Sequence, residues 1–152
     1  MKTIGILAFQ GDYSRHALML KGLGVLPRLV RNPEELNDAD GVIIPGGEST
    51  TIGKLMTNFG VTEPLKKRIA SGMPVFGTCA GMILLSKTDQ DKNQHRLSVL
   101  DISVERNAYG RQVDSFEADI DIREIGNTPY RGVFIRAPKV MEYGKNVRIL
   151  AR

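Results

Sequence analysis

The sequence predicts an α/β fold: a mainly parallel sheet with helices on both faces and a smaller antiparallel extension. Apolar strand-like runs alternate with helix-like runs through the first half of the chain, which is the pattern of βαβ units. The strand-like runs are nearly continuous in hydrophobicity, as expected for strands covered on both faces. After a polar loop at 88–95 only strand-like segments follow. Because no clear linker separates the two halves, we expect a single domain over residues 1–152.

The first strand and helix open the chain. Residues 3–9 (TIGILAF) are β-branched and apolar, and the turn residues at 10–12 end the run. A helix is predicted over 13–23, with an apolar stripe at 17–20 and glycines close to its end. Residues 26–30 form a short second strand before an Asn-Pro turn.

Two further strand and helix units follow. The apolar run at 41–45 (GVIIP) predicts a buried strand, and helices are predicted over 51–59 and 63–71. A last parallel strand is predicted at 74–77 (PVFG), and the apolar positions after it predict a mostly buried helix over 80–87. The strands predicted for the antiparallel extension lie at 97–105, 116–122, 132–135 and 147–150.

Composition and charge argue against several classes of protein. The 21 basic and 17 acidic residues give a net charge of +4 and are interspersed. Nucleic-acid binding needs a clustered basic patch, so we expect no nucleic-acid partner. No apolar run is long enough to span a bilayer and no signal-like N-terminus is present, so we expect a cytoplasmic protein with no membrane partner. Without CxxC or HExxH spacings we expect neither a metal site nor a cofactor.

The single cysteine, Cys79, lies in the pattern Gly77-Thr78-Cys79-Ala80-Gly81, between a strand-like and a helix-like run. Small residues on both sides allow the sharp strand-to-helix turn of a nucleophile elbow. The start of the following helix favours the thiolate, the form that attacks carbonyl carbon. The alternative is core filling, since free cysteines are often buried.

A diglycine segment at 46–47 also follows a strand. Ligands of open α/β sheets bind outside the carboxyl ends of strands, so this segment and Cys79 can face each other. Thiolate attack on a carboxamide creates an oxyanion, for which the Ala80 N–H and an amide of the diglycine segment are candidate donors. The alternative is a plain turn, with Glu48 as a helix-start acid and Ser49 as an N-cap.

Four segments together closely resemble one family: the glutaminase subunit of the two-component pyridoxal 5'-phosphate synthase, a triad-type class I glutamine amidotransferase. They are GVIIPGGEST at 41–50, VFGTCAGM at 75–82, VERNAYGRQVDSFEAD at 104–119 and GVFIRAP at 132–138. The third segment narrows the resemblance to this subunit. The resemblance implies a three-layer, flavodoxin-like fold.

The resemblance implies hydrolysis of L-glutamine to glutamate and ammonia through a glutamyl thioester on Cys79. Ammonia then passes to a synthase subunit, a (β/α)₈ barrel. The oxyanion hole implied by the resemblance comprises Gly47 and Ala80. The glutamine-binding residues that it implies are Gly46, Gly47, Glu48, Arg106, Ile135 and Arg136.

The chain departs from this family in one respect. Relatives complete the triad with a C-terminal His-x-Glu pair, whereas the only histidines here are His16 and His95. We expect both to be ordinary solvent-facing side chains. The hypothesis is a C-terminally incomplete glutaminase with slow turnover, because a cysteine nucleophile needs a base.

Two other functions stay open at this stage. The chain could be a catalytically silent module that docks on the synthase barrel and binds glutamine without hydrolysing it. It could also be a different cysteine-elbow protein of flavodoxin-like architecture, although the block at 104–119 does not fit that hypothesis.

Overall fold

A four-stranded parallel sheet is the centre of the computed structural model, which describes residues 1–88, 95–106 and 115–151. Its strands are β1 (Thr3–Leu7), β2 (Leu26–Val30), β3 (Gly41–Ile44) and β4 (Val75–Gly77). They lie in the order β2-β1-β3-β4, and every neighbouring pair is parallel. The four strands confirm the parallel sheet predicted from the first half of the sequence.

Helices cover both faces of this sheet. They are α1 (Tyr13–Gly22), α2 (Ser49–Asn58), α3 (Thr62–Ala70) and α4 (Ala80–Leu85), and a 3₁₀ turn lies at Pro33–Leu36. The chain steps to one side of the sheet from β1 to β2 and to the other side from β3 to β4. Because such crossovers are right-handed, α1 lies on one face and α2 and α3 lie on the other.

The main core forms where the sheet meets α2, α3 and α4. It comprises Leu7, Val30, Leu36, Ala39, Val42, Ile44, Ile52, Met56, Val61, Leu65, Met73, Ala80, Leu84, Leu85 and Leu97. By contrast, no residue of α1 is buried, and Leu18 and Met19 of its expected apolar stripe are 70% and 66% exposed. Apolar burial therefore holds α2, α3 and α4 to the sheet more strongly than it holds α1.

The second half adds the predicted antiparallel part. The strand β5 (Ser86–Thr88) pairs in parallel with β6 (Leu100–Glu105), and β6 pairs antiparallel with β9 (Lys139–Tyr143). A separate antiparallel pair joins β7 (Phe116–Ile120) and β8 (Tyr130–Phe134).

Several predicted elements differ from the structure: the strand predicted at 97–105, for example, begins only at Leu100, and the one predicted at 116–122 ends at Ile120. Residues 147–150 are not a strand; Val147 packs against a small apolar cluster, whereas Ile149 and Leu150 are exposed. The observed strand β9 has only exposed side chains, so its sequence carries no alternation of burial. The helix predicted to reach residue 87 ends at Leu85. The backbone of Ser86 is extended, and its hydroxyl donates a hydrogen bond to the Ile83 carbonyl.

Replacing Leu84 by alanine should destabilise the protein by about 2–5 kcal/mol, because its side chain is completely buried in the main core. The matched control is Leu18→Ala on the exposed side of α1, which should change stability by less than about 0.5 kcal/mol. Urea unfolding followed by circular dichroism measures both. Equal effects of the two substitutions would show that the core does not lie where the structure places it.

Candidate active site

The strand-to-helix turn at Cys79 has the strained backbone of a nucleophile elbow. Cys79 has φ 50° and ψ −104°, a conformation rare for any residue other than glycine. Strained backbones of this kind cost about 1–3 kcal/mol and cluster at functional sites. The turn is held by Thr78, whose N–H donates to Ile44 O at 3.1 Å and whose carbonyl accepts from Gly81 N at 2.8 Å. The thiol is exposed, so Cys79 is not a core-filling residue.

The two glycines that flank the elbow are sterically required. A Cβ at Gly81 would lie 2.1 Å from the carbonyl oxygen of Ile44, and a Cβ at Gly77 would lie 2.6 Å from the carbonyl carbon of Gly81. Both contacts are with backbone atoms, which cannot swing away. The strand β3, the elbow and α4 therefore approach each other as closely as they do because positions 77 and 81 lack side chains.

The register of the sheet brings the diglycine segment to the elbow. Ile44 of β3 pairs with Gly77 of β4, so both strands end at the same level. A Cβ built on Gly46 would lie 3.5 Å from the Cβ of Cys79, which is van der Waals contact. The predicted meeting of the two loops is therefore present in the structure.

Gln10, at the end of the first strand, also contacts the diglycine segment. Its Oε1 accepts a hydrogen bond from the Glu48 N–H at 2.8 Å. Gly47 has φ 154°, and a Cβ there would lie 2.6 Å from the same Oε1. The sequence pattern indicated Gln10 only as a turn residue. Its contact with residues 47 and 48 arises because β1 and β3 are neighbours in the sheet, which the sequence does not show.

Glu48, and not Ser49, caps α2. The Glu48 carboxylate accepts from Thr50 N at 3.1 Å and from Thr51 N at 2.6 Å, and the Thr51 hydroxyl donates to it as well at 2.6 Å. The carboxylate thus satisfies two of the unpaired N–H groups of the first turn. Ser49 is buried, and its hydroxyl has no hydrogen-bond partner among the described residues. The alternative of an N-cap at Ser49 is therefore not observed, because the longer side chain of Glu48 reaches both amides.

These hydrogen bonds set the charge state of Glu48. Partial desolvation raises the pKa of the Glu48 carboxyl, but the bonds from Thr51 and Thr50 together outweigh it and hold the pKa below the ordinary value of 4.5. Glu48 is therefore an anion at neutral pH, beside the diglycine segment.

Arg106 approaches the same carboxylate from strand β6. Its guanidinium lies 3.4 Å from Glu48 Oε1 and 3.5 Å from the Thr50 hydroxyl. The structure thus brings Arg106 to the start of α2, as expected for two residues of one site. Residues 107–114 of the segment that carried the resemblance lie outside the described residues.

Ile135 and Arg136 directly follow β8, and both are exposed. Arg136 has φ 48°, which makes it the second predicted site residue with a strained backbone. Within the described ranges, no hydrogen bond or ion pair joins Arg136 to the elbow. The assignment of Ile135 and Arg136 to the glutamine site stays a prediction.

The two histidines differ from each other in their surroundings. His16 is half-buried, and its Nε2 lies 3.3 Å from the Thr78 hydroxyl. The expectation that His16 is an ordinary solvent-facing residue is therefore wrong: sequence spacing could not show that α1 lies beside the elbow. His95 is exposed, as expected, and its Nδ1 lies 3.2 Å from the Thr57 hydroxyl.

The described ranges contain neither a group of metal-ligating side chains nor a membrane-spanning helix. No three His, Cys, Asp or Glu side chains of the described residues are grouped so that they could hold a metal ion. In that same part of the chain, no helix is both long and apolar enough to cross a membrane.

Fold and site together define a class: α/β proteins with an exposed cysteine elbow at the carboxyl ends of parallel strands. The model of the SNO glutamine amidotransferase family matches residues 6–152, and the chain belongs to this family. The resemblance found in the sequence is thereby confirmed.

Relatives and solved structures agree with this family. A protein of Carboxydothermus hydrogenoformans named pyridoxal 5'-phosphate synthase subunit PdxT is 56% identical over 149 residues, which are 98% of this chain and 78% of the relative. A protein of the same name from Thermosipho africanus is 55% identical, over 97% of this chain and 78% of its own length. A crystal structure of a glutamine amidotransferase, 47% identical, has a TM-score of 0.92 and covers 98% of this chain and 79% of its own. The structure of PurLQS from Thermotoga maritima has a TM-score of 0.67 at 14% identity over 99% of this chain and 73% of its own, which shows the fold alone.

Glu48→Gln should lower the free energy of unfolding at neutral pH by up to about 1 kcal/mol. This value is at the low end for the loss of a helix cap, because the Glu48 side chain is half-exposed. The folded pKa of Glu48 is lowered, so its stabilisation is present above the ordinary value of 4.5 and is lost as pH falls through the folded pKa. Urea unfolding from pH 7 to pH 3 measures the difference. The control is Glu63→Gln, which removes the same charge from the first turn of α3, a helix without a side-chain cap hydrogen bond. The capping role would be contradicted if the difference in unfolding free energy between wild type and Glu48→Gln did not shrink at acid pH.

Gly81→Ala should destabilise the protein by about 1–3 kcal/mol, because the new methyl group meets the Ile44 carbonyl. We expect a lower urea midpoint together with altered alkylation of Cys79 by iodoacetamide. The control is Gly22→Ala, where no atom lies within 4 Å of the added Cβ. If Gly81→Ala were as stable and as reactive as Gly22→Ala, the close approach at the elbow would be disproved.

Proposed function

We propose that this chain is the glutaminase subunit of pyridoxal 5'-phosphate synthase, which hydrolyses L-glutamine to L-glutamate and ammonia and delivers the ammonia to the (β/α)₈ barrel subunit. The observation that carries the proposal is the exposed, strained Cys79 beside Gly46, where an added Cβ would lie 3.5 Å from the Cβ of Cys79. The PdxT relatives, at 55–56% identity, support the same function. We place the protein in the cytoplasm, with no nucleic-acid partner and no cofactor.

The reaction takes place in two steps at one sulfur. The Cys79 thiolate attacks the side-chain carboxamide carbon of glutamine, and a C–S bond forms. The C–N bond then breaks, and the nitrogen leaves as ammonia after it accepts a proton. Water finally attacks the thioester, which releases glutamate and regenerates the thiol.

Two backbone amides are proposed as the oxyanion hole. The Ala80 N–H directly follows the nucleophile at the start of α4, the usual position of such a donor. The other proposed donor is the Gly47 amide of the diglycine segment, because the Glu48 N–H already donates to Gln10. Donors fixed before the reaction stabilise charge that develops in the transition state.

The amino-acid end of glutamine carries one positive and one negative group, and the proposed site contains partners for both. The anionic Glu48 suits the ammonium group, and Gly46 allows close approach of the ligand to the main chain. The guanidinium groups of Arg106 and Arg136 suit the carboxylate, since arginine matches carboxylate geometry. Ile135 would supply an apolar contact for the aliphatic part of the substrate.

The base that activates Cys79 is a separate question. In the described residues, His16 is bonded to Thr78 and His95 to Thr57, and neither is bonded to the thiol. A cysteine nucleophile needs a general base, and loss of such a base costs about a hundredfold to ten-thousandfold in rate. The alternative of a catalytically silent docking module is not favoured by the relatives.

Cys79→Ala should reduce ammonia release from glutamine to background in the presence of the barrel subunit, because the variant lacks the sulfur that forms the thioester. Ammonia is measured with and without that subunit, and glutamine binding is measured by calorimetry. Thr57→Val, at the far end of α2, is the control and should retain wild-type turnover. Glutamine binding by the wild type without any ammonia release would instead support the docking module.

A further inference from the structure

A hydrogen bond joins helix α1 to the residue before the nucleophile. The imidazole Nε2 of His16 lies 3.3 Å from the hydroxyl of Thr78, and both side chains are partly buried. Nothing in the resemblance or in the composition assigns a role to His16 or to this hydroxyl. The bond spans 62 positions of the sequence, so only the fold brings the two residues together.

The same helix also holds the diglycine segment. The Asp12 N–H, at the N-cap of α1, donates to the Gly46 carbonyl at 3.1 Å. Asp12 directly precedes α1, and His16 lies four residues further along the chain, in the first turn region of the helix. Helix α1 is thus bonded to both loops of the site, to Gly46 at its start and to Thr78 one turn later.

We propose that His16 is a positioning residue for the nucleophile: its bond to Thr78 fixes the elbow in the strained conformation that presents Cys79 to the diglycine segment. The inference deepens the proposed glutaminase function and rests on it for the identity of the substrate. His16 does not contact substrate in this proposal. It acts through Thr78.

Thr78 is well suited to transmit such an effect. Its N–H and its carbonyl are both used in the turn, towards Ile44 and Gly81, so the hydroxyl is the group through which a neighbouring element can hold it. A positive φ at a residue other than glycine persists only where the surroundings fix it. Loss of the hydroxyl bond should therefore let the elbow relax, and the thiol would spend less time in the reactive position.

The helix in turn depends on this bond more than a buried helix would. No residue of α1 is fully buried, so apolar burial fixes its position along the sheet less firmly than it fixes a helix with a buried stripe. Polar bonds at its first two turns are what align it with the carboxyl ends of β3 and β4. His16 and Asp12 thus keep α1, the diglycine segment and the elbow in one arrangement.

The test compares Thr78→Val, Thr78→Ser and His16→Leu in the full chain. The rate of Cys79 alkylation by iodoacetamide is followed by intact mass, and glutamine turnover is followed with the barrel subunit. We expect Thr78→Val and His16→Leu to slow both rates about threefold to tenfold, the effect of one neutral hydrogen bond. Thr78→Ser keeps the hydroxyl and should restore them. In turnover the loss should fall on kcat, with KM for glutamine unchanged.

The double variant separates a specific bond from general damage. If the bond is responsible, His16→Leu combined with Thr78→Val should be no slower than either single variant. The chain offers a matched control in its other histidine and threonine pair, Thr57 and His95, at 3.2 Å. Thr57 lies about 10 Å along α2 from Thr50, so Thr57→Val should remove an equivalent bond and leave Cys79 reactivity unchanged.

Three results would overturn the inference: wild-type alkylation in Thr78→Val, no rescue by Thr78→Ser, or equal slowing by Thr57→Val. Failure of the proposed function has a different signature. A wild-type protein that reacts with iodoacetamide but not with a glutamine-mimicking diazoketone, and that releases no ammonia, would disprove the glutaminase assignment. The iodoacetamide comparison would still decide whether His16 positions the elbow.

Discussion

The site depends on one close approach of backbone: the α4 start lies against the end of β3, with no room for a side chain at Gly81 or Gly77. The Ile44 carbonyl is central to it, because it accepts from Thr78 N and lies where a Cβ of residue 81 would be. With those contacts in place, Cys79 is forced to φ 50° and stands exposed at the end of the sheet. Strain that would be unfavourable in an isolated turn is thus maintained by the packing around it.

The start of α2 combines a structural task with the proposed binding of substrate. The Glu48 carboxylate caps the helix through Thr50 and Thr51 and also lies 3.4 Å from the Arg106 guanidinium. Its lowered pKa keeps it ionised, which both the cap and a cationic ligand group require. Because the carboxylate is already held by two amides and a hydroxyl, a substrate ammonium would meet an acceptor whose position is fixed, which reduces the ordering that binding requires.

The features of the fold and of the site that could be predicted are those determined by residues close together in the sequence. The parallel strands were predictable from continuous apolar runs, and the elbow from small residues flanking Cys79. The contacts of Gln10 and His16 with the site could not be predicted, since each depends on which strands are neighbours and where α1 crosses them. The strand β9 was missed because none of its side chains is buried, so its pairing with β6 leaves no hydrophobic pattern. The sequence left Ser49 open as an alternative N-cap, because it does not show which carboxylate or hydroxyl reaches the amides.

The position of α1 follows from the balance between apolar and polar contacts. A helix with a buried apolar stripe is held in place by the burial of that apolar surface, and single hydrogen bonds add little to this hold. In α1, Leu18 and Met19 face solvent, so the bonds of Asp12 to Gly46 and of His16 to Thr78 carry more of the alignment. Both of these bonds end on the two loops that must meet for the chemistry. A small displacement of α1 would therefore change the distance between Cys79 and the diglycine segment, whereas a similar displacement of α3, packed through its buried Leu65, would have to disrupt the core first.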